Sequence, residues 1–133
     1  MNVQTAKAFR ISIIVGLVAY TAYWFSPYSY GYLDPNIGSV LSYSGYGAIY
    51  SGNNIVDVAM FVMWIVGASG MFFYRKIARC FFLLLNAITL GVTPLYGIFV
   101  ETAGAAALID VAHIAVGVAL ALAYFSSVRD QFY

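Results

Sequence analysis

Charge is what this sequence has least of. Its 133 residues include six basic and five acidic side chains, 8% of the total, where a water-soluble domain carries about 25%. So few charges cannot coat a globule of this size, which excludes an ordinary soluble fold. Cysteine is limited to Cys80, so an intramolecular disulfide is excluded too. Its place beside Arg79 suits a small packing residue. A single histidine cannot supply the two axial imidazoles of a typical membrane haem. The chain has no glycine-rich phosphate loop, no His/Cys metal spacing and no nucleophile elbow. Nor is any tract basic enough for nucleic acid. These absences predict a protein that is not an enzyme, with no cofactor, no metal and no nucleic-acid partner.

What the chain does have is apolar residues, at 63%, and aromatic ones, at 18%. The first partner this composition implies is the lipid bilayer. The apolar residues fall into four runs, about 8–25, 55–73, 80–100 and 105–125. Each is near the ~20 residues that cross a ~30 Å hydrocarbon core at 1.5 Å per residue. In lipid every backbone polar group must be paired within the protein, so the runs read as helices. They lack the alternation of a β-barrel strand. The expected fold is therefore an all-α membrane protein, a four-helix bundle forming a single domain over 1–133. The first run ends in Tyr20, Tyr23, Trp24 and Phe25, an interfacial aromatic belt rather than the small residues of a cleavage site. Connections 74–79 and 101–104 are short, which predicts that the second, third and fourth spans form a tight up-down unit. Pro94 is expected to kink the third span.

The few charges are not scattered. Lys7, Arg10, Arg75, Lys76, Arg79 and Arg129 all flank one set of span ends, while Asp34, Asp57, Glu101 and Asp110 lie toward the other. Positive flanks stay in the cytoplasm. That predicts a multi-pass protein of the inner (cytoplasmic) membrane with both termini cytoplasmic. The long connection 26–54 is then extracytoplasmic. It holds Tyr28, Tyr30, Tyr32, Tyr43, Tyr46 and Tyr50, half of the 12 tyrosines, and is expected to fold back over the bundle as a recognition surface. Asp34 before Pro35 reads as an N-cap with proline at the first helical position. Ile37, Val40, Leu41, Ser44 and Ala48 follow at helical spacing. A short amphipathic helix in the outer interface is predicted, a Tyr/Ser hairpin being the alternative.

Polar residues within the spans are costly and need a reason. Asp110 and His113 are three apart on the fourth span, with Thr93 and Tyr96 of the third at similar depth and Asp57 near the outer interface. These five form the candidate polar cluster, with Asp57, Asp110 and His113 expected to point into the bundle. Two roles fit it: a proton- or ion-responsive site, or interhelical hydrogen bonding that only holds helices together. Asn86 fits the second role. Small residues mark candidate packing faces: Ala115, Ala119 and Ala123 in one ridge, Gly117 and Ala121 in a second, with Gly67 and Gly70 on the second span. The fourth span is therefore expected at the centre of the bundle or of an oligomer.

The function these residues point to is an accessory subunit, regulator or immunity-type protein. It would act through helix packing and outer-loop contacts on another membrane protein, or on further copies of itself. The alternative is a small oligomeric channel or transporter with Asp110 and His113 in an ion or proton path.

Overall fold

The computed structural model describes residues 3–49 and 54–133, and among these the chain is helical with no strand. The elements are α1 (Val3–Phe25), α2 (Pro35–Leu41), α3 (Asn54–Phe72), α4 (Lys76–Val92) and α5 (Ala103–Phe125). Helices α1, α3 and α5, and α4 together with the turn that follows it to Tyr96, are long and apolar enough to cross a membrane. The chain is thus a multi-pass membrane protein.

Local chemistry sets the helix ends. Asp34 caps α2 by accepting from the Asn36 N–H at 2.8 Å, with Pro35 at the first turn. The helix ends at Leu41, and turns carry residues 42–47, so Ser44 and Ala48 lie beyond it. Thr102 caps α5 by accepting from the Ala105 N–H at 3.2 Å. The third span departs most from expectation. Its helix starts at Lys76 and ends at Val92, followed by a 3-10 turn, Thr93–Tyr96, with Pro94 in its first turn. Proline lacks the N–H needed to continue the α-helical ladder, so Pro94 ends α4 instead of kinking it.

Residues 97–102 are then non-helical, and part of this stretch pairs with the long loop. Gly45 N–H donates to Ile98 O at 2.7 Å, Ile98 N–H to Tyr46 O at 3.0 Å, and Ile49 N–H to Leu95 O at 2.9 Å. The loop is thereby tied to the end of α4. The crossing requires glycine at Gly97, whose φ is +76° and whose Cβ would lie 2.5 Å from Tyr46 O.

Packing also differs from the expected unit of spans two to four. The most extensive interface joins α1 to α5, with α3 against α4 next, while α4 and α5, joined by residues 93–102 and not by the expected 101–104, touch little. A buried stripe on α1, comprising Ala6, Phe9, Ile13, Gly16 and Ala19, faces inward. A Cβ on Gly16 would meet Ala115 Cβ at 3.6 Å and Val116 Cγ2 at 3.7 Å. Ala115, Ala119 and Ala123 are buried on α5. Gly67 and Gly70 of α3 pack against α4, close to Phe82 and Ala78. Asn86 joins the same pair of helices, accepting from Trp64 Nε1 at 3.4 Å and donating to Phe82 O at 2.7 Å. The second ridge fails as an intrachain contact. Gly117 and Ala121 are exposed, and nothing lies within 4 Å of a Cβ built on Gly117.

Arg10, Arg75 and Arg79 by their guanidinium groups, and Lys76 by its backbone, take part in an end of the bundle sealed by aromatic rings and the C-terminal tail, on which Arg129 lies. Phe9 stacks on Tyr74, and Phe132 meets both rings edge-on, with centroids 5.4–5.9 Å apart. Lys76 N–H donates to Tyr133 O at 3.0 Å, and Tyr133 N–H to Tyr74 O at 3.1 Å. The guanidinium of Arg10 lies 5.3 Å from the Tyr74 ring, Arg75 lies 5.1 Å from Tyr133, and Arg79 lies 4.8 Å from Tyr124. Cys80 is exposed, with Tyr124 Oη 3.9 Å from its sulfur.

A Cβ on Gly70 would lie 2.5 Å from Ala78 Cβ. Gly70→Ala should therefore cost about 1–3 kcal/mol, the usual range for overpacking. Gly117→Ala should leave the purified chain unchanged or slightly stabilised, by helix propensity. Thermal unfolding in mild detergent compares the two; equal shifts would refute this packing scheme.

Candidate functional site

At the end of the bundle away from the arginines, the four long helices enclose a half-open cavity of about 330 Å³. Its position follows from the packing. With α5 held against α1 and α4 against α3, a gap remains between α4 and α5, lined by Thr89 and Thr93 on one side and by Ile109 and His113 on the other. At 1.5 Å per residue His113 lies about 15 Å from the start of α5, midway through a ~30 Å core.

Four of the five residues of the candidate cluster line this cavity: Asp57, Thr93, Tyr96 and His113. Asp57 is half-buried in the first turn of α3. His113 is exposed at the open side. Thr93 is not free to act as a donor elsewhere, because its hydroxyl donates to Thr89 O at 2.8 Å; Thr89 does the same to Leu85 O at 2.9 Å.

Asp110 is the exception. It is exposed and does not line the cavity, so the expectation that it points into the bundle with His113 is corrected. The reason is helical geometry. Residues three apart differ by about 60° around the axis, and on α5 the cavity-facing residues are Ile109 and His113. Asp110 falls beyond that arc, on the side opposite Ala112, Ala115 and Ala119.

The cavity is also lined by residues that the sequence reading did not place in the polar cluster. Glu101 is half-buried and accepts a hydrogen bond from Tyr23 Oη at 2.5 Å, joining the α4–α5 connection to α1. An acid in so short a connection between two apolar runs was the available signal. Tyr20 stacks on Trp64 at 4.3 Å, and Trp24 on Phe61 at 4.7 Å. Trp24 and Trp64 are the chain's two tryptophans, and both line the cavity. A second, adjoining cavity of about 500 Å³ lies under the loop and shares Tyr23, Trp24, Phe99 and Glu101 with the first. The Tyr23–Glu101 hydrogen bond thus stands in the wall between them.

On the loop, Tyr28, Tyr32, Tyr43 and Tyr46 are 77%, 92%, 63% and 71% exposed. Tyr30 is half-buried, and Tyr50 lies outside the described residues. Among the described residues no group of three or more His, Cys, Asp or Glu side chains could hold a metal ion. Comparison with protein-family models, with curated proteins and with solved structures finds no match to this chain.

Removal of the Tyr23 hydroxyl leaves Glu101 short of a partner in a half-buried position. Tyr23→Phe should lower stability in detergent by about 1.5–3 kcal/mol, the range for a hydrogen bond to a charged group. Thr93→Val, at an exposed position whose hydroxyl serves only its own helix, should cost less. An unfolding midpoint unchanged by Tyr23→Phe would rule out a structural role for the bond.

Proposed function

We propose that this chain is a non-enzymatic protein of the inner (cytoplasmic) membrane, both termini cytoplasmic, that acts by binding another integral membrane protein. An accessory subunit, a regulator or an immunity-type protein all work in this way. One observation carries the reading: a carboxylate, Asp110, stands on the outward face of a membrane-spanning helix. A charge at the centre of such a helix costs ~2.5–3.5 kcal/mol even on the lenient insertion scale. A second helix laid over α5 removes that cost by offering Asp110 a hydrogen-bond partner.

The face around Asp110 suits such a helix. Ala107, Asp110, Ile114, Gly117 and Ala121 recur at spacings of three and four, and all are exposed. They form one stripe about 21 Å long. Small residues let a partner's backbone approach closely, the main source of helix association in lipid. The outer loop supports the same reading. Of its exposed tyrosines, Tyr46 sits on backbone tied to residues 95–98, and the Tyr43 carbonyl accepts from the Tyr46 N–H in the same turn, so this part of the loop offers contact area that needs little ordering on binding. The orientation rests on the retention of positive flanks in the cytoplasm. The channel alternative that pairs Asp110 with His113 is less favoured, because His113 lines the cavity and Asp110 does not.

Gly117→Leu fills the outward stripe without touching the bundle. The tagged chain extracted in mild detergent should co-purify with one membrane protein in fixed ratio, and Gly117→Leu should lose that partner at unchanged unfolding temperature. His113→Gln should keep it. Recovery of the wild-type chain alone and monomeric, or retention of the partner by Gly117→Leu, would refute the proposal. The orientation is tested separately by placing the only cysteine at the loop in a Cys80→Ser, Ser44→Cys chain. It should react with a membrane-impermeant thiol reagent from outside intact cells; reaction only after permeabilisation would invert the topology.

A further inference from the structure

The cavity between the four helices is not used by the α5 outward face, and its lining is selective in charge. Two carboxylates, Asp57 and Glu101, line it, with His113 at the open side, and no lysine or arginine does. Arg10, Arg75, Arg79 and Arg129 are engaged at the opposite end of the bundle. An ion drawn into this space is therefore a cation. The walls decide which kind. A hard inorganic cation such as calcium takes six to eight oxygen ligands, whereas this lining offers two carboxylates and is otherwise largely aromatic, with Tyr20, Tyr23, Trp24, Trp64, Tyr96 and Phe99. Aromatic faces attract organic ammonium groups, most strongly where water is excluded. The volume of about 330 Å³ lies at the lower end of the range for small-molecule sites.

We propose that this cavity binds a small lipophilic organic cation, a ring-bearing amine or quaternary ammonium, with Asp57 and Glu101 as counter-charge and Trp24, Trp64 and Tyr96 as aromatic walls. Asp57, near the start of α3, and Glu101, in the α4–α5 connection, place the negative charge at the loop end. The apolar part of the ligand then extends inward, along Trp64 and toward Ile109. Glu101 is held in place by Tyr23, and the same pair borders the cavity under the loop. That neighbouring space gives a route from the loop side, with Glu101 reached first. The gap between α4 and α5 gives a second, lateral route for a molecule already dissolved in the bilayer.

Both tryptophans line the site, so binding is readable without a label. The full chain is placed in nanodiscs of zwitterionic lipid, so that no anionic headgroup competes for the cation. It is titrated with N-methylquinolinium, which quenches indole fluorescence, and with 2-methylquinoline, a neutral compound of similar shape under mildly alkaline conditions. Quenching by the cation should saturate, and the neutral compound should bind roughly tenfold more weakly or worse. Asp57→Asn and Glu101→Gln should each weaken the cation by roughly fivefold or more, while Asp110→Asn, off the lining, should not. The comparison of the two ligands on the wild-type chain decides the matter even where a variant fails to fold. Quenching that rises linearly without saturation, or saturable binding that is equal for the neutral compound, overturns the proposal. So does cation affinity that survives both carboxylate substitutions in folded protein.

Discussion

The close approach of α1 and α5 is the contact on which the rest of the structure depends. In lipid there is no hydrophobic gain from pressing two apolar helices together, because the hydrocarbon chains are as apolar as the side chains they displace. Association must come from dispersion between surfaces that fit, and that needs backbones near one another. Gly16 against Ala115 and Val116, with Ala19, Ala119 and Ala123 buried along the same interface, supplies the fit. Once α5 is committed to α1, α4 is left to α3, where Gly67 and Gly70 receive Phe82 and Ala78. The α4–α5 side stays open, and the cavity is the consequence.

The two ends of the bundle manage polarity in opposite ways. At the basic end, guanidinium groups lie over Tyr74, Tyr133 and Tyr124, and the C-terminal tail is bonded to the α3–α4 turn. A delocalised guanidinium loses less hydration on such a ring than a compact ammonium would, so charge can sit close to the apolar core. That end is closed. At the other end the charges are carboxylates, which aromatic faces repel, and one of them is met by the hydroxyl of Tyr23. The loop adds a covering through backbone bonds between 45–49 and 95–98. What remains between these partners is space.

Helix α5 presents three faces to three surroundings. Ala112, Ala115 and Ala119 are buried, Ile109 and His113 look into the cavity, and Asp110 with Gly117 and Ala121 looks outward. Its composition is much the same all round, which is why its two small-residue ridges could not be ranked by pattern. The outcome separates Asp110 from His113 and turns a single expected polar cluster into two features: a carboxylate on an outer face and a histidine at the side of a cavity.

The sequence by itself determined the features that depend on near neighbours along the chain. Four apolar runs of membrane length, basic residues at one set of ends and the Asp34 cap each follow from local chemistry: hydropathy, flanking charge, a side-chain oxygen within reach of an N–H. Asp57, Thr93, Tyr96 and His113 could be grouped by depth alone, since depth is counted in residues from a span end. Only the tertiary structure decided which helices meet. Gly16, Tyr23 and Glu101 acquire their roles from partners 78 to 100 residues away in sequence, and helical periodicity states which residues share a face, not what that face will touch. In a bilayer, where lipid and protein offer an apolar helix nearly the same solvent, that choice falls to the fit of one helix surface against another.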